Sequence, residues 1–224
     1  MAVTITPTSN PAGVGSAASV TVYTSATLGA ESVDRLIAIL IGKEVATIVP
    51  SAVSLGGQTA ELADGTTFGN MGAWIYLKSF PTGSNADVSI TWTGTISAAA
   101  NHIALYALTG AAAPPASGND TSTDMDTTSP LTSGNVTVST DGGMLALAVG
   151  ATDTVAKTWA GITEGLDVDA GDFRFTTAIT VTAATASRTC TGGTNGEDGV
   201  MAWVNFANSV IPNLNMPPYT PPGK

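Results

Sequence analysis

The sequence predicts an all-β protein: an antiparallel two-sheet β-sandwich or jelly roll of about ten strands. Three observations predict it. Short apolar or alternating runs recur between Gly, Pro, Asn and Asp turn signals, and no stretch has the apolar spacing of a helix. Charged residues make up only 11% of the 224 residues, and Thr, Ser, Ala, Gly and Val stand in their place. Residues of that kind suit a pleated surface packed on one or both faces. Finally, the length fits one large sandwich that buries enough surface to need no staple. The single Cys190 agrees, because it allows no intrachain disulfide.

Residues 1–16 are rich in Pro, Gly, Ser and Thr and read as an N-terminal arm, with one short strand at 3–6. The sandwich domain spans 17–209. Val20 and Val22 alternate with Ser19, Thr21 and Tyr23, the pattern of a half-buried strand. Residues 34–41 form a continuous apolar run stopped by Gly42, which predicts a strand buried on both faces. A short strand at 53–55 ends at Gly56-Gly57. Another at 73–78 puts Trp74 and Tyr76 on one face, Ile75 and Leu77 on the other. Val88, Ile90 and Trp92 share the face of a further strand, and 103–108 follows. Residues 111–134 read as a long loop of small and polar residues, unusual inside a compact domain. Strands resume at 136–138 and 144–149. In the next, Phe173, Phe175, Thr177, Ile179 and Val181 alternate with Arg174, Thr176, Ala178 and Thr180, which predicts one wet face. Residues 200–206 form the last strand. The tail, 210–224, carries five prolines and reads as extended and polyproline-like. No repeat at a solenoid or propeller period is visible.

The charge balance restricts partners. Seven Lys and Arg against 17 Asp and Glu give a net charge of −10. That balance opposes binding to nucleic acid phosphates and to anionic membranes. The N-terminus lacks the basic start and apolar stretch of a secretory signal, and no apolar run approaches the ~18 residues of a membrane span.

The middle of the chain resembles a known module. The runs Asp34-Arg-Leu-Ile-Ala-Ile-Leu-Ile-Gly, Ala52-Val-Ser-Leu-Gly-Gly-Gln-Thr, Ala73-Trp-Ile-Tyr-Leu-Lys, Pro81-Thr-Gly, Asp87-Val-Ser-Ile-Thr-Trp and Ala107-Leu-Thr-Gly-Ala carry the likeness. Their order is similar to concanavalin-like and laminin-G-like jelly rolls. These modules recur in bacteriophage virion proteins and bacterial surface proteins. The resemblance covers about residues 17–207. It implies a binding or structural role and supplies no catalytic residue. The missing signal peptide favours the phage branch, whose proteins fold in the host cytoplasm and end in the virion.

Candidate chemistry is sparse. His102 is the only imidazole, so a Ser-His-Asp triad would have to use it, and no nucleophile elbow is present. Cys190 would need a neighbouring base. Glu61, Glu164 and Glu197 lack the sheet-borne spacing of glucanase carboxylates. Two acidic clusters could offer oxygens to calcium: Asp167, Asp169 and Asp172, and Asp120, Asp124 and Asp126. Solvated turn carboxylates are the favoured reading of both, because calcium wants six to eight oxygens. Among the aromatic residues, Trp159 lies in the most turn-like context and is the candidate for stacking on a glycan. Ile211, Leu214, Met216 and Tyr219 are the apolar anchors of the tail.

The expectation is therefore a non-enzymatic phage structural protein, a capsid decoration or head-fibre protein. It would be a homo-oligomer whose termini dock on neighbouring virion subunits, the major capsid protein or tail and fibre subunits. The alternative is a carbohydrate-binding, adhesive module of a tail fibre or bacterial surface protein.

Overall fold

The computed structural model describes residues 1–10, 18–45, 47–97, 100–112, 116–122, 125, 130–151, 156–171, 173–192 and 198–209. Seventeen strands and no α-helix occur among them. The first nine are β1 (Thr4–Ser9), β2 (Ala18–Thr27), β3 (Leu36–Glu44), β4 (Pro50–Leu55), β5 (Gln58–Thr59), β6 (Glu61–Phe68), β7 (Met71–Ser79), β8 (Asn85–Ile96) and β9 (Asn101–Thr109). Then come β10 (Ala116–Ser122), β11 (Leu131–Val138), β12 (Gly143–Ala151) and β13 (Thr158–Ala160). The last four are β14 (Thr163–Asp169), β15 (Phe173–Thr180), β16 (Ala184–Thr191) and β17 (Gly199–Phe206).

The strands form four antiparallel sheets, not two. Sheet I is β2-β8-β4-β5, sheet II is β1-β9-β3-β7-β6, sheet III is β10-β17-β12-β15-β14 and sheet IV is β11-β16-β13. They stack in that order. One core fills the space between I and II with Ile37, Ile39, Ile41, Tyr76, Ile90 and Trp92. A central core lies between II and III, with Leu40, Ile75, Tyr106, Leu147, Phe175 and Phe206. A third, with Ala146, Ala148, Trp159 and Cys190, lies between III and IV. Sheets II and III are therefore buried on both faces, as the apolar runs in β3 and β12 require.

The stack is one unit built twice. Matching β1, β9, β3, β7 and β6 with β10, β17, β12, β15 and β14 reproduces the strand order of sheet II in sheet III. Matching β2, β8 and β4 with β11, β16 and β13 does the same for sheets I and IV, with β5 the one addition. Register repeats as well. Leu40 lies between Ile75 and Ala104, and Leu147 between Thr177 and Ala202. The edge strands even carry a bulge at the same step, after Leu62 opposite Tyr76 and after Glu164 opposite Ala178. The expected two sheets of about ten strands over 17–209 are thus corrected to seventeen strands in four sheets among the described residues, because each half of the chain builds a two-sheet unit of its own. The repetition is invisible in sequence because, in this register, β3 and β12 share only Leu40 and Leu147.

Several local expectations are corrected by this packing. In β2 the valines face out: Val20 and Val22 are exposed, while Thr21 and Tyr23 are buried. Polar bonds set that phase, since Trp92 Nε1–H donates to Thr21 Oγ1 at 3.0 Å and the Tyr23 hydroxyl donates to Asn101 Oδ1. In β15 the face expected to be wet is covered by sheet IV, and Thr176 and Ala178 are fully buried. Within 111–134, read as one loop, β10 and the start of β11 occur. Strand β10 is a polar edge strand with no apolar alternation to betray it. Residues 4–9 of the expected arm are β1, paired with β9 at the edge of sheet II.

Candidate assembly surface

The reactive side chains among the described residues serve packing. His102 lies on β9 and stacks at a tilt on Phe175 of sheet III, with ring centroids 4.8 Å apart. Its Nε2 bonds Asn10 Oδ1. Burial lowers its pKa to about 4, so the ring is neutral at pH 7. Cys190 is buried opposite Trp159, between sheets III and IV. Lys43 lies on the inner side of sheet II with its ammonium 5.9 Å from the Trp74 ring centre, donating to the Val45 carbonyl. Burial lowers its pKa to about 8. Trp74 itself needs two glycines beneath it. A Cβ on Gly65 would stand 2.1 Å from the indole, and one on Gly72 2.2 Å.

Arg35 is the most demanding of these groups, being a fully buried guanidinium. Its Nε donates to Phe80 O at 2.7 Å. Nη1 donates to Gly29 O and Ala30 O, both at 3.0 Å, and more weakly to Leu28 O at 3.4 Å. Nη2 donates to Thr82 O at 3.1 Å and Gly83 O at 2.6 Å. The side chain thus pins the 28–30 turn to the 80–83 turn at one end of the first half. Beside it, the Asp34 carboxyl accepts from Ser32 Oγ and from Gly110 N, and these bonds hold it below its ordinary pKa.

The sites expected from sequence fare unevenly. Trp159 is no exposed platform. It lies on β13, 8% exposed, and its indole N–H donates to Thr176 Oγ1 at 2.9 Å. A surface-turn assignment missed it because β13 is only three residues long. Asp167 and Asp169 both lie on β14, opposite Thr176 and Arg174 of β15. Asp167 pairs with Arg174 through Oδ1 to Nε at 2.6 Å and Oδ2 to Nη2 at 3.0 Å. It also accepts from Lys157 N at 3.2 Å. Asp169 closes its own turn on Gly171 N at 2.9 Å. Asp172 lies outside the described residues, as do Asp124, Asp126 and Glu197; Asp120 accepts from Thr132 N at 2.7 Å. No group of three or more His, Cys, Asp or Glu suited to a metal occurs among the described residues. Glu61 and Glu164 lie on the edge strands β6 and β14 of opposite halves. Partial burial and the Asp167 charge raise the Glu164 pKa, against the pull of Arg174. Ile211, Leu214, Met216 and Tyr219 lie outside the described residues.

The two outer sheet faces are largely uncharged. On the outer face of sheet I, Val20, Thr91 and Ala52 lie in one row and Val22, Ser89, Ser54 and Thr59 in the next. Asp87 stands at the rim of that face. The outer face of sheet IV repeats the composition. Thr137 faces Thr185 with their hydroxyls bonded at 2.7 Å, Asn135 faces Ser187, and Thr191 faces Thr158.

The seams between the two halves differ. On one side β6 packs against β10 and β17. Asp64 of β6 closes that seam, accepting from Asn119 Nδ2 at 3.1 Å and from Trp203 N at 3.2 Å. The matching seam on the other side, between β1 and β14, holds two clefts of about 300 and 340 Å³. Val3, Ile5, Thr163 and Ile179 line the first; Pro7, Leu105, Gly165 and Leu166 line the second. No charged side chain lines either cleft among the described residues.

No known protein family, no curated protein and no solved structure matches this chain.

Proposed function

We propose that the chain is a non-enzymatic structural protein of a bacteriophage particle, a capsid decoration or head-fibre protein. The observation that supports this best is the chemistry of the two outer sheet faces. They are broad, built of Thr, Ser, Ala and Val, and carry their one acid, Asp87, at a rim. On a chain of net charge −10, such neutral faces are where another protein can approach without meeting like charge. The inward use of His102, Lys43, Arg35 and Cys190 fits the same role, since each is buried in the stack. The tail, 210–224, is the docking segment in this proposal, with Ile211, Leu214, Met216 and Tyr219 as anchors on a neighbouring subunit. Each would contribute about 1.5–3 kcal/mol if fully buried.

The test is mass spectrometry of density-purified particles from the source that encodes the chain. The proposal expects the chain at a copy number in fixed ratio to the major capsid protein, and expects deletion of 210–224 to lower that ratio. Recovery of the chain only in the soluble fraction would overturn it.

A further inference from the structure

We infer that the seam between β1 and β14 is a docking groove for another protein, and that its occupant is an extended segment with two large apolar side chains four residues apart, flanked by Lys or Arg. Such a groove serves any assembly the chain joins, whether or not that assembly is a phage particle.

The two halves repeat one strand order, yet among the described residues only one of their two seams is filled. On that side β6 lies against β10 and β17, tied by the Asp64 bonds to Asn119 and Trp203. On the other, β1 and β14 flank two clefts of about 300 and 340 Å³. Val3 to Ile5 line the first and Pro7 to Asn10 the second, so their midpoints fall at Thr4 and between Thr8 and Ser9. At about 3.3 Å per residue the clefts are about 15 Å apart. Side chains i and i+4 of an extended chain share a face at about that spacing. Each cleft admits a large aliphatic side chain without desolvating an ion. Val181, which lines the first, is 52% exposed and waits for such a contact.

The edge of β1 cannot take another strand along its length. Pro7 has no N–H, and the Val3 N–H is already given to Asp141 O at 2.8 Å. Recognition is therefore left to side chains in the clefts, not to a backbone ladder. Charge selects the flanks of the occupant. Asp141 adjoins Val3 through that bond. Asp34 accepts from Gly110 N, at a residue so close to the start of β1 that a Cβ on it would stand 2.5 Å from Ala2 O. Glu164 is exposed on β14, between Thr163 of the first cleft and Gly165 of the second. On the neighbouring strand, Arg174 is paired with both oxygens of Asp167. A second copy of a chain of net charge −10 brings like charge to this rim. A segment flanked by Lys or Arg brings opposite charge, and with it specificity and a faster approach.

The test titrates the full ¹⁵N-labelled chain with the peptide Lys-Lys-Leu-Ser-Thr-Ser-Leu-Lys-Lys. We expect the amide signals of Thr4, Ile5, Thr8 to Asn10 and Thr163 to Leu166 to shift, and those of the outer face of sheet IV to stay. Replacing the four Lys of the peptide by Glu should weaken binding about tenfold at about 50 mM salt, and about 0.5 M salt should narrow the gap. Setting the two Leu three apart puts them on opposite faces and should weaken binding about fivefold. In the protein, Glu164→Gln should lower affinity about two- to threefold, and Thr163→Arg, also at an exposed position, should abolish the shifts at the first cleft. Equal binding of the Lys- and Glu-flanked peptides would overturn the basic partner. Indifference to spacing, shifts elsewhere or no shift would overturn the groove. A chain that sediments as a dimer, with groove signals that move with its own concentration, would give the groove to a second copy and overturn the assignment as well.

Discussion

Replacing Arg35 with Lys tests what the buried guanidinium does. Five of its six contacts are 3.1 Å or shorter, and all go to carbonyls of two turns. Lysine keeps the charge but has three donors on one nitrogen, so it cannot reach both turns in the same geometry. At least two carbonyls then lose their partner. At about 1–3 kcal/mol for each buried acceptor left unmade, the loss is about 2–6 kcal/mol. Some carbonyls will recover water, since these turns border solvent, so the lower half of that range is the expected result. Urea unfolding measures it: the midpoint should fall while the slope with denaturant stays constant. Arg35→Met, which removes the charge as well, should cost at least as much, because the carbonyl cage was built for a cation. A loss below about 1 kcal/mol for Arg35→Lys would refute the idea that the guanidinium pins the two turns.

Four further outcomes are expected. His102 has a folded pKa of about 4 against an ordinary 6.5, so the unfolded chain binds its proton first. Stability should therefore be full above pH 6.5 and fall by about 3 kcal/mol as the pH drops to 4, and His102→Gln should flatten that part of the pH–stability curve. Lys43, at about 8, works in the opposite pH range: stability should rise between pH 8 and 10.5, and Lys43→Met should remove the rise. Gly65→Ala forces a Cβ into the Trp74 indole and should cost about 1–3 kcal/mol, with a change in tryptophan fluorescence as the ring moves. Leu40→Ala and Leu147→Ala empty matching sites in one continuous core, and each should cost about 2–5 kcal/mol while shifting a single calorimetric transition; a split transition would show that the halves unfold separately.

The parts of the fold that sequence revealed are those where apolar residues dominate one strand. The run at 34–41 announces β3 as a strand covered on both faces, and Ile37 to Ile41 are fully buried. Trp74 and Tyr76 against Ile75 and Leu77 give the two faces of β7 correctly, because each face meets a different core. Apolar alternation misleads where polar residues are inside. In β2, Thr21 and Tyr23 turn inward to bond Trp92 and Asn101, so the apparent apolar face is the wet one. The edge strands β6, β10 and β14 carry Asp, Glu, Asn, Thr and Gly, whose pattern is that of turns. Of the candidate site residues, Trp159 was misjudged because its covering partner, Thr176, lies on a strand expected to be exposed there. The four-layer stack was out of reach for a plainer reason. Two halves with the same strand order need only the same inward volume, and they fill it differently: Ile37, Ile39 and Ile41 point away from the central core, while Leu145, Leu147 and Val149 point into it.

That difference in filling bears on how the protein meets others. A homodimer of single sandwiches would bury one sheet from each copy through the same patch, and both seams would be identical. Joining the two units in one chain frees each half to change on its own. The seam at β6 holds Asp64, whose carboxylate bonds a side chain on β10 and a backbone amide on β17. The seam at β1 has an uncharged lining of Val, Ile, Pro, Thr and Leu among the described residues. The scarcity of charge has the same logic. Ions at the central sheets would have to be caged, as Arg35 is by carbonyls, and carboxylates on the outer faces would add to the repulsion between copies of an already anionic chain. The acids are therefore confined to turns, rims and edge strands, and the broad faces are left to Thr, Ser, Ala and Val.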